Sequence, residues 1–153
     1  MPDSQDVDVT VRGVESADIE ALADLITQLG YGTRAPEMEM RMEAIRANKN
    51  YATFVAVNKG TVCGMIGTFT RYTYEHNCPS AMILALVVSK EMRGRGVGQA
   101  LIAAAEKDLA QRNIRRVAVN ARFERKEAHE FYEKLGYTKN GFRLIKELPM
   151  PAD

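Results

Sequence analysis

Ala81-Met82-Ile83-Leu84-Ala85-Leu86-Val87-Val88-Ser89-Lys90-Glu91-Met92-Arg93-Gly94-Arg95-Gly96-Val97-Gly98-Gln99 is the stretch on which the fold turns. Its first eight residues are apolar almost throughout, as expected for a strand covered on both faces. Beyond Gly96 the pattern becomes helical, from about Val97 to Arg112, with Val97, Leu101, Ala104, Ala105 and Leu109 inward. The glycines between let the chain turn tightly and let a ligand approach the main chain without meeting a Cβ atom. The first turn of the helix carries unpaired N–H groups at its positive end, so a phosphate suits it. Arg93 and Arg95 add charge and forked donors. A P-loop requires Lys-Ser/Thr after the last glycine, where Gln99-Ala100 stand. A dinucleotide fingerprint requires glycine at Leu101, or at Gln99 when counted from Gly94, and also fails. What remains is Arg/Gln-x-x-Gly-x-Gly, met by Arg93, Gly96 and Gly98; its competitor is a tight turn with solvated arginines.

Outward from this centre the period changes twice. Upstream, Tyr51–Val57 and Thr61–Tyr74 are rich in β-branched and aromatic residues, split by Asn58-Lys59-Gly60, a hairpin turn. Before them, Val7–Arg12 alternates as a strand. Ser16 is placed to cap a helix through Ile19, Leu22, Ile26 and Leu29 that Gly30 stops. Pro36 opens a second helix, to about Ala47, with Met38, Met42 and Ile45 on one side. Downstream, Ile114–Asn120 reads as a strand and Lys126–Leu135 as a helix ended by Gly136. Tyr137–Leu148 reads as a closing hairpin around Asn140-Gly141. The order β-αα-ββ-β-α-β-α-ββ is an α+β (mixed α/β) layout with helices on both sheet faces.

The chain has 153 residues, one domain's worth at about 100–200 residues each. The expectation is a single domain over 1–153 with its core at about 7–148. Hydrophobic residues are 46% and charged residues 27%, an ordinary globular balance that argues against disorder. Lys+Arg 21 against Asp+Glu 20 leaves a formal charge of +1, which gives no global field for nucleic acid or an anionic membrane. No apolar run reaches the roughly 20 residues of a bilayer crossing, and Met1–Asp8 has no basic-then-apolar leader. Cys63 and Cys78 form neither a disulfide framework nor a metal cluster, so a reducing, cytoplasmic home and no metal are expected.

Two motifs then carry a resemblance. Leu86 to Gly98 resembles the acetyl-CoA-binding signature of the GNAT superfamily of N-acetyltransferases. Ala128-His129-Glu130-Phe131-Tyr132-Glu133-Lys134-Leu135-Gly136-Tyr137 resembles its second signature, a helix ending in Gly-Phe/Tyr. The resemblance implies a central, mostly antiparallel sheet whose fourth and fifth strands, Ala81–Val88 and Ile114–Asn120, splay apart. The pantetheine arm of acetyl-CoA would lie between them on main-chain groups of Leu86, Val87 and Val88, much as a strand adds to an open edge. The diphosphate would lie on the amides of Arg93, Gly94, Arg95, Gly96, Val97, Gly98 and Gln99. Where relatives carry an Asn this chain has Arg125, and Asn120 is the candidate to replace its contact with the cofactor arm; closing the strand is its equal alternative.

The resemblance also implies acetyl transfer to a primary amine, with Tyr132 as proton donor to the leaving thiolate and as a cofactor contact. A phenol near 10 and an alkyl thiol near 8.5 read as a cheap transfer. The strand before the glycine turn lacks the carboxylate many relatives carry, which leaves Glu75 as a weak base candidate, beside His76, Glu37, Glu39 and Glu43. Met38, Met40 and Met42 read as core or as the wall of an adaptable acceptor pocket. The acceptor is expected to be a small-molecule amine; a peptide or protein amine, and a non-catalytic acyl-CoA-binding or sensing module, are the alternatives. No nucleic-acid or membrane partner is expected, and a homodimer follows by analogy of fold alone.

Overall fold

The computed structural model describes residues 8–120, 126–141 and 143–151. They fall into two compact units, one ending at Val119 and one starting at Asn120.

The first unit is built on a five-stranded sheet in the order β1-β2-β3-β4-β5. Its strands are β1 (Thr10–Gly13), β2 (Tyr51–Asn58), β3 (Thr61–Arg71), β4 (Ser80–Val88) and β5 (Val117–Val119). The first three pairings are antiparallel, and β4 to β5 is parallel. Helices α1 (Ile19–Leu29) and α2 (Ala35–Arg46) connect β1 to β2, and α3 (Val97–Gln111) connects β4 to β5. At the β2–β3 turn both Lys59 (φ 51°) and Gly60 (φ 80°) are left-handed, the geometry whose twist matches a two-stranded ribbon.

Side-chain alternation sends the helices to opposite faces. Leu22, Leu25, Met38 and Met42 of α1 and α2 pack on Val55, Met65 and Val87. On the other face Leu109 of α3 packs with Ala81 and Ile114. There Gly64 makes room for the helix: a Cβ on it would lie 3.0 Å from Leu101 Cδ1 and 3.2 Å from both Val97 Cγ1 and the Val87 carbonyl oxygen.

Ala81 and Val87 are both odd-numbered in one strand, yet they face opposite ways. The register explains this: Gly67 pairs with Ala85 and Thr68 with Ile83, so Leu84 is an extra residue on β4. A bulge of one residue reverses every side chain beyond it. With helices on both faces, Ala81–Val88 is apolar at nearly every position whichever way each side chain points.

Several boundaries differ from the sequence reading. The β1 strand is Thr10–Gly13 rather than Val7–Arg12, and Val7 lies outside the described residues. Both β3 and β5 are shorter than expected, β3 ending at Arg71 and β5 keeping Val117–Val119 alone. Ser16 is no cap: it lies inside a short 3-10 turn, Ser16–Asp18, whose reciprocal capping is between Glu15 and Asp18. The Ser16 hydroxyl instead accepts a hydrogen bond from Arg46.

Asp18 is the buried acid of the first unit, 4% exposed. Its two oxygens accept a forked pair from Arg12 at 2.9 and 3.0 Å, and the Glu15 amide donates to one of them at 2.7 Å. The Arg12 fork and that amide lower its carboxyl below the ordinary 3.8, against the opposing effect of burial. Asp18→Ala should therefore cost about 2 kcal/mol in urea unfolding, since it removes the forked pair and leaves the Glu15 amide unmatched, while Arg12 keeps the Gly13 carbonyl. Because the folded value is the lower one, this stabilisation is fully present above the ordinary carboxyl range. It is lost only as pH falls through the depressed value. A variant unfolding at the same urea midpoint as the parent at pH 7 would contradict this.

The second unit holds α4 (Lys126–Lys134). Gly136, at φ 97°, reverses the chain, so that the Tyr137 amide reaches the Tyr132 carbonyl at 3.1 Å. The closing hairpin expected over Tyr137–Leu148 is not formed: residues 137–141 and 143–151 carry no strand, and Phe142 lies outside the described residues. A lone two-stranded hairpin is marginal in water. The apolar side chains that would cover one, Leu144, Ile145 and Leu148, are exposed.

Candidate functional site

The β4–turn–α3 segment gathers most of the expected site residues on one continuous piece of the first unit. Among the described residues, β5 accompanies β4 only through Ala81, Met82 and Ile83, opposite Val117, Ala118 and Val119. From the Leu84 bulge onward, no strand among the described residues runs beside Leu84–Val88 on that side. Main-chain groups of Leu86, Val87 and Val88 thus border an open strand edge, which can take an extended ligand.

The turn beyond is shaped by two left-handed glycines, Gly94 (φ 77°) and Gly96 (φ 84°). Gly96 is the cap of α3 and has no side chain with which to bond the helix start. The first amide to reach a helical acceptor is that of Ala100, on the Gly96 carbonyl at 3.0 Å. Those of Val97, Gly98 and Gln99 are the opening donors of a 15-residue helix, at its positive end. Arg93 turns back on the strand, donating from Nε to the Val88 carbonyl at 3.1 Å. That bond fixes turn to strand and leaves the two terminal nitrogens of Arg93 for an anion. Arg95 and Gln99 line a cavity of about 330 Å³ with Gly96, Ala100 and Ala103, closed on one side by Asp8 and Val9.

A second pocket, of about 200 Å³, lies where the bulge meets the α1/α2 face. Gly67, Leu84 and Ala85 form its sheet side, and Met38, Met42 and Ile45 its α2 side. Met38 and Met42 therefore serve both readings made of them, core packing and pocket wall, whereas Met40 is exposed. The bulge itself was not foreseen. In a run where every residue is apolar, the extra residue leaves no mark in the pattern.

Glu75 lies in the exposed bend between β3 and β4, with His76 beside it. Hydrogen bonds from its own amide and from the Thr73 hydroxyl, with the nearby charges of His76 and Arg71, hold its carboxyl below the ordinary carboxylate range. Such an acid is ionised but a poor proton acceptor at neutral pH. Cys63 is buried, which pushes its thiol up, and Cys78 is exposed; neither is in a disulfide. Among the described residues no three His, Cys, Asp or Glu side chains cluster as metal ligands.

Asn120 and Tyr132 belong to the second unit. Asn120 directly follows β5, and Tyr132 occupies the last full turn of α4. The Tyr132 ring meets Tyr137 edge-on at 5.6 Å and Phe131 at 5.2 Å. The Gly136 reversal thus has a function: it folds Tyr137 back as a brace for Tyr132. Burial pushes the Tyr132 phenol above its usual value near 10. The usual values of a phenol and an alkyl thiol already make complete transfer to the thiolate unfavourable, against the cheap transfer expected from sequence, and burial makes the phenol part with its proton less readily still.

Comparison with known proteins bears on the whole arrangement. The acetyltransferase (GNAT) family model matches residues 19–137. Over 94 residues the chain is 33% identical to the aminoalkylphosphonate N-acetyltransferase of Salmonella typhimurium, and it spans 61% of that protein's length and 61% of its own. A GNAT family acetyltransferase of Staphylococcus aureus superposes with a TM-score of 0.79 at 25% identity, covering 92% of this chain and 98% of that one. An aminoglycoside N-acetyltransferase in complex with CoA, at 22% identity, shows the same fold with a TM-score of 0.82, covering 92% and 95%. The open β4 edge, the glycine turn at the head of α3 and a family match running from α1 through Tyr137 lead to one conclusion: the chain belongs to the GNAT family of acetyltransferases.

Proposed function

We propose that this chain is an N-acetyltransferase that moves the acetyl group of acetyl-CoA to a primary amine of a small molecule. It would act as one domain in the cytoplasm, by direct transfer with both substrates bound. The carrying observation is the convergence at Leu84. There the open edge of β4, continuous with the unpaired amides of α3, meets a pocket of about 200 Å³. Apolar cavities of about 150 Å³ hold one benzene ring, so this pocket suits the body of a small amine better than a peptide segment. Membership of an acetyltransferase family supports the reaction, and the Salmonella typhimurium relative's small amine substrate supports the acceptor class.

Acetyl-CoA supplies an activated acyl carbon and a thiolate leaving group. In the proposed arrangement Leu86, Val87 and Val88 hold its pantetheine arm through main-chain bonds. The amides of Arg93 through Gln99, with the fork ends of Arg93 and Arg95, hold the diphosphate, and Asn120 is the candidate for a further bond to the arm. Tyr132 keeps its proton across the neutral range and offers a hydrogen bond to the sulfur as charge grows there. The depressed carboxyl of Glu75 makes it a weak base, so the acceptor enters as the fraction of amine already neutral at the working pH.

Calorimetry with coenzyme A and acetyl-CoA tests the binding half, and thiol release across an amine panel tests the chemical half. Saturable binding of both forms with amine-dependent thiol release is the expected result. Binding without turnover on any amine would convert the assignment to an acyl-CoA sensor, and no heat with either form would end it.

A further inference from the structure

The pocket beside the bulge has a one-sided chemistry. Ile26, Met38, Met42, Ile45, Met65 and Leu84 give it an apolar wall. Among the described residues no carboxylate lines it, and its one charged group is the guanidinium of Arg41. Arg41 projects from the exposed side of α2, one turn beyond Glu37. Among the described residues no carboxylate is within ion-pair distance of it; Glu37, which accepts from the Arg34 amide at 2.9 Å, feels the charge of Arg41 only at longer range.

Arg41 is nonetheless held in place. Its Nη1 donates to the Thr33 hydroxyl at 3.0 Å, and that hydroxyl donates onward to the Tyr31 carbonyl at 2.7 Å. Thr27 of α1 anchors the same loop, accepting from the Thr33 amide at 3.0 Å. The loop between α1 and α2 thus orients one side of the fork and leaves the rest of its donors uncommitted. An oriented guanidinium at an apolar pocket recognises a carboxylate or phosphonate through two parallel hydrogen bonds. The same pocket offers an ammonium group no counter-charge.

We propose that Arg41 is the specificity-determining residue of the acceptor pocket, and that the preferred acceptor is a small amine with an apolar body and one anionic end. The inference rests on the acetyltransferase reading and narrows its substrate class. Polyamines and other polycationic amines are disfavoured by the same charge.

Four acceptors of matched chain length provide the test: an ω-amino carboxylate, an ω-aminoalkylphosphonate, the plain alkylamine and the α,ω-diamine. Each is titrated into coenzyme A-loaded protein by calorimetry and assayed for kcat/KM. The two anionic amines should exceed the alkylamine by about tenfold or more, as a charge-assisted hydrogen bond provides, and should exceed the diamine further. Arg41→Gln should collapse that ratio toward one through KM, with kcat for the anionic amines kept. Arg41→Lys, which retains charge without the fork, should restore part of it. Equal affinities across the panel, preference for the diamine, or an unchanged ratio in Arg41→Gln would overturn the proposal. Intact coenzyme A binding in those cases would leave the acetyltransferase reading standing, whereas its loss would remove both.

Discussion

Gly96→Val is expected to raise the dissociation constant for coenzyme A at least a hundredfold while leaving the protein folded. Gly96 is the cap of α3 at φ 84°, a conformation that costs an L residue about 1–2 kcal/mol and a β-branched one more. The chain can relieve that strain by rotating the turn. The amides of Val97, Gly98 and Gln99 then no longer converge on one anion. Each hydrogen bond to a charged group contributes about 1.5–3 kcal/mol, and every 1.4 kcal/mol is a tenfold change in affinity. Losing two such bonds therefore accounts for a hundredfold. Gly96 is exposed, so no core contact is at stake and the urea midpoint should fall only by the local strain. Gly96→Ala, with less bulk at the same φ, should show a smaller loss in the same direction. Wild-type affinity in the valine variant would mean that the turn is only a bend in the chain, and the phosphate assignment would fall with it.

The glycine turn was legible because its chemistry is local. Positive φ at Gly94 and Gly96, the helix start at Val97 and the preceding strand all depend on neighbours within a few residues. The Asn58-Lys59-Gly60 hairpin was legible for the same reason. Features that depend on a partner across the fold were not. The Leu84 bulge is fixed by what Gly67 and Thr68 do on β3. Neither strand carries a breaker there that announces an extra residue, although Gly67 on β3 is the kind of small residue that accompanies one. Ser16 satisfies every local rule for a cap, and Asp18 displaces it because Arg12, six residues back, supplies a fork. The expected C-terminal hairpin had a good turn in Asn140-Gly141, and the described residues there form no ladder.

The candidate site divides along the same line. Cofactor-side groups could be named from a motif, because main-chain amides bind phosphate whatever the side chains around them. Arg41 lies between Met40 and Met42, two of the methionines read as a candidate acceptor wall, but its place as the single charge in the lining, among the described residues, emerges only once α2 is laid against β3 and β4. Glu75 illustrates the converse. Its position before β4 made it a candidate base, and its hydrogen bonds, invisible in the sequence, weaken it as one.

Tyr132→Phe should lower kcat by about a hundredfold to a thousandfold, within the usual range for loss of a positioned acid, and change coenzyme A affinity by no more than about twofold. The substitution keeps the ring, and with it the edge-on contacts to Phe131 and Tyr137, so stability should hold. What disappears is one O–H. Because burial raises the phenol above its usual value, the wild-type hydroxyl stays protonated throughout the neutral range, and its contribution is lost only as pH rises through that raised value. Tyr132 therefore produces no fall in kcat between pH 7 and 9, and any limb there belongs to another group. The raised value also decides how the residue helps. Complete transfer to a thiolate is uphill, so in the proposed role the phenol would act by a hydrogen bond that strengthens as the carbon–sulfur bond breaks, and transition-state stabilisation of that kind appears in kcat rather than in cofactor binding. Thiol release by the phenylalanine variant at the parent rate would remove Tyr132 from the chemistry. An equal loss in kcat and in coenzyme A affinity would recast it as part of the cofactor's grip.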